Sequence, residues 1–272
     1  MTNQPSDYGI SERLSAGSRA DEHVERIALA GFTVIESHVT PQEAAALVPR
    51  VDRLLQRQAE EAGGIERLVE IGEHETARCC LAYDEAFLPL ARDPAVSEVC
   101  RLLLGDYFIL MQQNAIVNAP AQSHTQRAYH RDLPYQHFVS SRPLAVSALF
   151  CVDPFSSTNG ATVVLPGSHK LEQFPSESVV RDLETVVEAP AGSFIVFDSM
   201  IFHRAGTNAS TAPRRAVNHV FTRPFIAQQI SFPSMLDGRY SDDAELARLL
   251  GYAIGTVPSV SDWWERRRRR VR

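Results

Sequence analysis

The chain has 272 residues, a net charge of −6 and a composition of 44% hydrophobic and 22% charged residues, which suits a globular protein with a substantial core. No apolar run approaches the roughly 20 residues that span a bilayer, and "MTNQPSDYGISERLSAGSR" lacks a charged-then-apolar leader, so a cytoplasmic protein with no membrane partner is expected. The acidic balance disfavours nucleic acid as a partner.

In chain order, "RADEHVERIALAG" places Val24, Ile27 and Ala28 at helical spacing and closes on Gly31, and a short strand "FTVIE" follows. A second helix opens with Thr40 as N-cap, Pro41 at its first position and Glu43 completing a capping box. Its apolar stripe runs through Ala44, Leu47, Val48, Val51, Leu54 and Leu55; Pro49 should kink it and Gly63–Gly64 end it. "PAVSEVCRLLL" predicts a helix over 94–104. From residue 107 to about 226 the texture changes. The runs "YFILMQQNAIV", "LAVSALFCVD", "ATVVLP", "FIVFD" and "RAVNHVFT" alternate with turn segments such as "SSTNG", "PAGS" and "GTNASTAP".

Many short strands without intervening helices, and without a Gly-rich strand-to-helix turn, exclude a doubly wound nucleotide-binding fold and predict a jelly-roll-like barrel. The expected organisation is one domain over 1–272. It comprises a helical layer (18–104) packed on a jelly-roll core (105–226), then an extension (227–272) ending in a basic tail. In that tail six of the last seven residues are arginine, read as a solvated helix end with Trp263 and Trp264 docking the helix. Cys79, Cys80, Cys100 and Cys151 form no spaced C-x-x-C pair, so buried, reduced thiols are expected.

Chemistry concentrates in "YHRDLPYQ". Residues i and i+2 of a strand share a face, so His130 and Asp132 are able to converge on one point. A mononuclear non-haem iron site needs two histidines and a carboxylate on one face of an octahedron. The required second histidine is offered by His203 in "FDSMIFHRAGTN", 71 residues beyond Asp132. If 2-oxoglutarate fills two open positions, its far carboxylate needs a buried cation, and arginine presents a fixed, always-charged fork. "STAPRRAVNHVFT" supplies Arg214 and Arg215, only one of which points inward on a strand.

The segments "YHRDLPYQ", "NGATVVLPGSHK" and "GSFIVFDSMIFHRAGTNASTAPRR" closely resemble the phytanoyl-CoA dioxygenase family of Fe(II)/2-oxoglutarate-dependent oxygenases. The resemblance covers roughly residues 24–226 and is strongest over 127–224. It implies a double-stranded β-helix, which is a cupin-like jelly roll, with Fe(II), 2-oxoglutarate and O2 as cofactor and co-substrates. It also implies that His130, Asp132 and His203 form the catalytic metal triad. Arg214, eleven residues after His203, becomes the clamp for the distal carboxylate in preference to Arg215. Gln113 and Thr162 resemble residues that contact the co-substrate in some relatives. Asp132 stands where halogenating relatives carry a small residue, so halogenation is not expected, and nothing announces a site for a CoA thioester.

Tyr135, Gln136 and His137 are candidate substrate contacts, and His124 and Arg127 candidate gate residues. His169, His219 and Asn208 are read as structural. The loops "AQSHTQRAY", "PYQHFVSSRP" and "FPSMLDGRYSDD" are expected to line the mouth, their mixed polarity favouring a partly polar small-molecule substrate. The leading expectation is hydroxylation of an unactivated C–H with release of succinate and CO2. The same oxidant would also serve desaturation, epimerisation or cyclisation. From other classes stand a metal-dependent cupin-type isomerase or hydrolase and a non-catalytic binding domain. Oligomeric state is not readable from the sequence.

Overall fold

The structure is a computed structural model and describes residues 15–120, 125–133 and 137–271. The N-terminal part contains α1 (Arg19–Ala30), β1 (Phe32–Glu36), α2 (Pro41–Glu61), α3 (Ile65–Glu70) and β2 (Thr76–Ala77). The single-turn helices α4 (Cys80–Tyr83) and α5 (Leu88–Ala91) lead to α6 (Pro94–Leu104). The strand-rich part contains β3 (Ile109–Asn118), β4 (Ala145–Cys151), β5 (Thr162–Val164), α7 (Glu177–Leu183) and β6 (Thr185–Val186), then β7 (Ser193–Asp198), β8 (His203–Ala205) and β9 (Arg214–Thr222). Helices α8 (Phe232–Leu236), α9 (Ala244–Leu249) and α10 (Val260–Val271) follow.

Local chemistry accounts for the helix boundaries. Ser18 caps α1 by accepting the Asp21 N–H, and Gly31 ends it in the left-handed conformation with φ 89°. Gly31 also meets a close approach: a Cβ there would lie 2.7 Å from His169 Nδ1 and 2.8 Å from the Ile201 side chain. Its carbonyl accepts the Asp198 N–H, so the end of α1 is fastened to the segment leading into β8. Thr40 and Glu43 exchange the two hydrogen bonds of a capping box, and α2 continues through Pro49 without a break.

The strands form a six-stranded antiparallel sheet, β1-β7-β4-β9-β3-β2, and a three-stranded one, β6-β5-β8. These are the two leaves of a cupin-like jelly roll, and they do not close into a hydrogen-bonded barrel. The large sheet is covered on both faces, which explains why β4 and β7 are buried at every position. Outward residues of its strands (Phe150, Phe194, Val217, Phe221) join Ile27, Leu47, Val51 and Val99 of the helices in the main core. Inward residues (Leu149, Ile195, Phe197, Ala216) pack against Val164 of the small sheet and Ala161 just before it. Ile27 is 1% exposed, so Ile27→Val, which removes one buried methylene, is expected to cost about 1 kcal/mol. The measurement is a lower urea midpoint at unchanged m-value.

Two expectations about the C-terminal region are corrected. Trp263 and Trp264 are 48% and 58% exposed and do not dock α10. Arg266 tethers that helix instead, its guanidinium donating to the Gly255 and Ala253 carbonyls. The segment "FPSMLDGRYSDD" is not a mouth loop: it begins with α8, whose Phe232 and Leu236 are fully buried in the helical core. Cys79, Cys80, Cys100 and Cys151 are free and buried, as expected. Among the described residues no helix is long and apolar enough to cross a membrane.

Candidate metal centre

His130 and Asp132 do not sit on a regular strand. His130 forms one isolated antiparallel bridge with His203, each N–H donating to the other's carbonyl at 2.9 and 3.1 Å. The Asp132 N–H then bonds the Ser199 carbonyl at 3.0 Å. The opposing chain turns at Ser199–Ile201, where Ile201 N–H returns to the Asp198 carbonyl, so no longer ladder forms. Two crossing contacts nevertheless suffice to bring the His-x-Asp pair against β8.

Each imidazole is oriented by its own backbone. Nδ1 of His130 is 3.0 Å from the Ala128 carbonyl, and Nδ1 of His203 is 3.1 Å from the Ile201 carbonyl, two residues back in both cases. Those contacts make Nδ1 the protonated nitrogen and leave Nε2 as the lone-pair donor. The two Nε2 atoms lie 3.9 Å (His130) and 3.4 Å (His203) from Oδ1 of Asp132. All three donor atoms fall within 4.8 Å of one another. Ligands on one face of an octahedron around a first-row divalent ion, bonded at about 2.1 Å, stand roughly 3 Å apart, so the three atoms are close enough to share one ion once they draw in around it. Two neutral imidazoles and one carboxylate, with the opposite face open, are the donor set of non-haem Fe(II).

The other carboxylate oxygen is engaged elsewhere. Oδ2 of Asp132 accepts from Ser147 Oγ at 2.5 Å and from Asn218 Nδ2 at 3.2 Å, and Ser199 Oγ lies 2.8 Å behind Ser147. Burial by itself would raise the Asp132 pKa, but His203, His130 and the Ser147 hydroxyl outweigh it and hold the carboxyl well below its usual range. For His203, burial opposes the charged form, yet the adjacent Asp132 carboxylate prevails and raises its pKa; burial and His203 together lower that of His130. Ser147 and Asn218 were not singled out from the sequence. The available signal was a serine inside the apolar run "AVSALFC" and an asparagine on the same strand face as Arg214. Ser147→Ala is expected to weaken divalent-metal binding about 10–100-fold, measured by Co(II) titration of the metal-free protein.

The same cavity holds an unusual cation. Arg214, at the start of β9, is 3% exposed and lines the cavity together with Asp132, His203 and Asn218. Its Nη2 donates to the Gly160 carbonyl at 2.8 Å, its guanidinium lies 4.2 Å from the Phe155 ring centre, and its Nε has no hydrogen-bond partner. Burial pushes its pKa down to about 10. A buried guanidinium with no carboxylate in hydrogen-bond contact is costly unless an anion enters beside it. Arg215 faces the other way and pairs with Asp52 and Asp153.

The remaining candidates divide. Thr162, opposite Ala205 in the small sheet, lines the cavity. Gln113 does not. It is on the helix-facing side of β3, accepts from Leu81 N–H, donates to the Phe87 carbonyl and meets His219 Nε2 at 2.9 Å. Its neighbours Gln112 and Asn114 face the cavity instead. His137 is exposed, with Nδ1 3.4 Å from the Glu172 carbonyl, and lines neither cavity beside Asp132. Tyr135, Gln136 and His124 lie outside the described residues. Arg127 ends a short turn next to the cavity-lining Gln126. His169 is buried against Gly31, His219 is buried with Nδ1 at the Ala148 carbonyl, and Asn208 bonds the Asn118 and Ala212 carbonyls.

With this geometry in place, comparison with known proteins gives the class. The phytanoyl-CoA dioxygenase family model matches residues 27–216, and the chain belongs to that family of Fe(II)/2-oxoglutarate-dependent oxygenases. Among its relatives is the uncharacterized protein Rv1501 of Mycobacterium tuberculosis, 30% identical over 94% of this chain and 95% of the relative. The multifunctional dioxygenase prhA of Penicillium brasilianum is 24% identical over 86% of this chain and 84% of its own length. Among solved structures, EctD from S. alaskensis with 2-oxoglutarate and 5-hydroxyectoine shares the fold. Its TM-score is 0.61 at 21% identity, with 80% of this chain and 79% of that chain covered.

Proposed function

We propose that this protein hydroxylates an unactivated C–H bond of a small molecule, converting R–H, 2-oxoglutarate and O2 into R–OH, succinate and CO2. One observation carries the reading: donor atoms of His130, Asp132 and His203 lie within 4.8 Å of one another, and Asp132 and His203 line a cavity that also holds the Arg214 guanidinium, whose Nε has no partner. Bound iron supplies O2 activation coupled to decarboxylation of the keto acid.

The chain's own groups do the rest. His130, Asp132 and His203 hold the metal on one side. Ser147 and Asn218 occupy Oδ2 of Asp132, so that Oδ1 remains the ligand atom. Arg214 receives the distal carboxylate of 2-oxoglutarate in a charge-assisted fork, and Thr162 contacts the co-substrate from the small sheet. The carboxylate ligand leaves no vacancy for a halide, which favours oxygen transfer over halogenation. A metal-only isomerase or hydrolase has no use for a buried cation facing the metal cavity.

Anaerobic addition of Fe(II) and 2-oxoglutarate is expected to produce the visible charge-transfer band of the chelate. Admitting O2 with a competent substrate should then release succinate in step with hydroxylated product. Metal binding without the band would sink the assignment.

A further inference from the structure

Asp132 borders two cavities, the polar one of Arg214 and a second of about 770 Å³. Its walls are Met111, Leu133, Phe138, Leu144, Phe225 and Ile226. That volume falls in the range that encloses a drug-sized ligand. This apolar lining differs from the partly polar mouth expected from the loops, of which residues 121–124 and 134–136 lie outside the described residues.

The charged groups at this second cavity are already committed. Asp132 belongs to the triad. Arg131, which also lines it, is engaged by the protein: Nε donates to the Met200 carbonyl at 2.7 Å, Nη2 to the Ser168 carbonyl at 3.2 Å, and the guanidinium lies 3.9 Å from the Phe202 ring centre. Among the described residues an ionic ligand would therefore lose its hydration and find only charged groups whose hydrogen bonds are already spent within the protein. Phe225 and Phe138, at the rim, are 74% and 47% exposed, so two aromatic rings stand in water beside a metal ligand. Among the described lining residues one side-chain amide, Gln229, marks the polar end. Gln229 Oε1 accepts from Arg78 Nη1 at 3.2 Å, which leaves the Gln229 Nε2 hydrogens to donate.

Resting on the oxygenase reading above, we propose that this cavity is the substrate subsite. Its substrate is an uncharged, bulky, largely hydrocarbon molecule with an acceptor oxygen directed at Gln229. The apolar body buries Phe138, Phe225 and Ile226, and one C–H is presented at Asp132 from this cavity, which Arg214 does not line. A free amino acid or a CoA thioester does not fit this chemistry.

The test uses the metal-free full-length protein and the neutral fluorophore N-phenyl-1-naphthylamine, which brightens in apolar surroundings. Saturable binding of one probe per chain is expected. Ile226→Asp should weaken it at least tenfold, and Phe225→Ala, altering an exposed ring that the fold does not need, several-fold. Progesterone, a neutral polycyclic ketone, should displace the probe, and Gln229→Leu should weaken progesterone at least threefold while leaving the probe itself unaffected. Ectoine and butyryl-CoA should not displace it.

Absence of saturable binding, or binding unchanged in both Ile226→Asp and Phe225→Ala, overturns the proposal. So does displacement by the charged compounds. Sedimentation showing a dimer that Phe225→Ala dissociates would assign the aromatic rim to a second copy and overturn it as well. The probe is read without iron, so the two readings fail separately. The charge-transfer band with no probe binding sinks this inference alone, whereas probe binding with no band sinks the oxygenase reading.

Discussion

His203→Ala is expected to abolish the charge-transfer band of the anaerobic Fe(II)/2-oxoglutarate complex, leaving less than about a tenth of the wild-type absorbance at metal concentrations that saturate the native protein. The reasoning is local. His203 contributes one of three donors, its Nε2 only 3.4 Å from Oδ1 of Asp132, and the remaining His-Asp pair presents too few ligands to hold the ion against water. The fold should survive, because the bridge between residues 130 and 203 is made by backbone groups that the substitution leaves in place. Thermal unfolding separates the two effects. A metal present at a hundred times its Kd stabilises a protein by about 2.7 kcal/mol, so Co(II) should raise the Tm of the wild type and leave that of His203→Ala unmoved. A variant that keeps the band would remove His203 from the site.

Arg214→Met is expected to separate co-substrate binding from metal binding. Hydrogen bonds to charged groups contribute about 1.5–3 kcal/mol each, so losing both prongs of a fork should raise the 2-oxoglutarate requirement roughly a hundredfold or more. Co(II) affinity should stay within about threefold, since the guanidinium touches none of the three donors. The stability effect runs the opposite way. In the absence of co-substrate the buried guanidinium has an unpartnered Nε, and a buried charge of this kind is often replaced by a hydrophobe with no loss of stability. Arg214→Met is therefore expected to match or exceed the wild-type Tm when 2-oxoglutarate is withheld. Arg214→Lys keeps the charge but loses the fork and the flat contact with Phe155, and should fall between the two. Wild-type 2-oxoglutarate dependence in Arg214→Met would refute the clamp.

The jelly roll was legible because alternating strands with turn residues between them are short-range signals, whereas the proposed triad and clamp were readable only through the family resemblance, since His203 is 71 residues beyond Asp132 and the His130–Asp132 pair lies outside any regular strand. What escaped depends on which face of an element is already claimed. "QQ" at 112–113 offers two equivalent side chains, and only the segment at 80–91, with its waiting Leu81 N–H and Phe87 carbonyl, decides that Gln113 turns toward the helices. A bulge between Leu110 and Gln112 further disturbs simple alternation on β3. Mean polarity misled at the mouth. "FPSMLDGRYSDD" reads as mixed, yet Phe232 and Leu236 vanish into the core, while the apolar run at Phe225–Ile226 stands beside Asp132. Ser147 shows the same limit: a lone serine in an apolar strand gains a role only when a carboxylate fifteen residues earlier folds onto it.

The paired backbone hydrogen bonds that cross-link residues 130 and 203 set the spacing of the two imidazoles before any ion arrives. A cage fixed in advance distinguishes poorly among cations of similar radius, and nitrogen and oxygen donors favour nickel and copper over ferrous iron. Freshly isolated protein should thus carry whichever transition ion its surroundings supplied, and its competence in the cell will follow iron availability more than any preference built into the site.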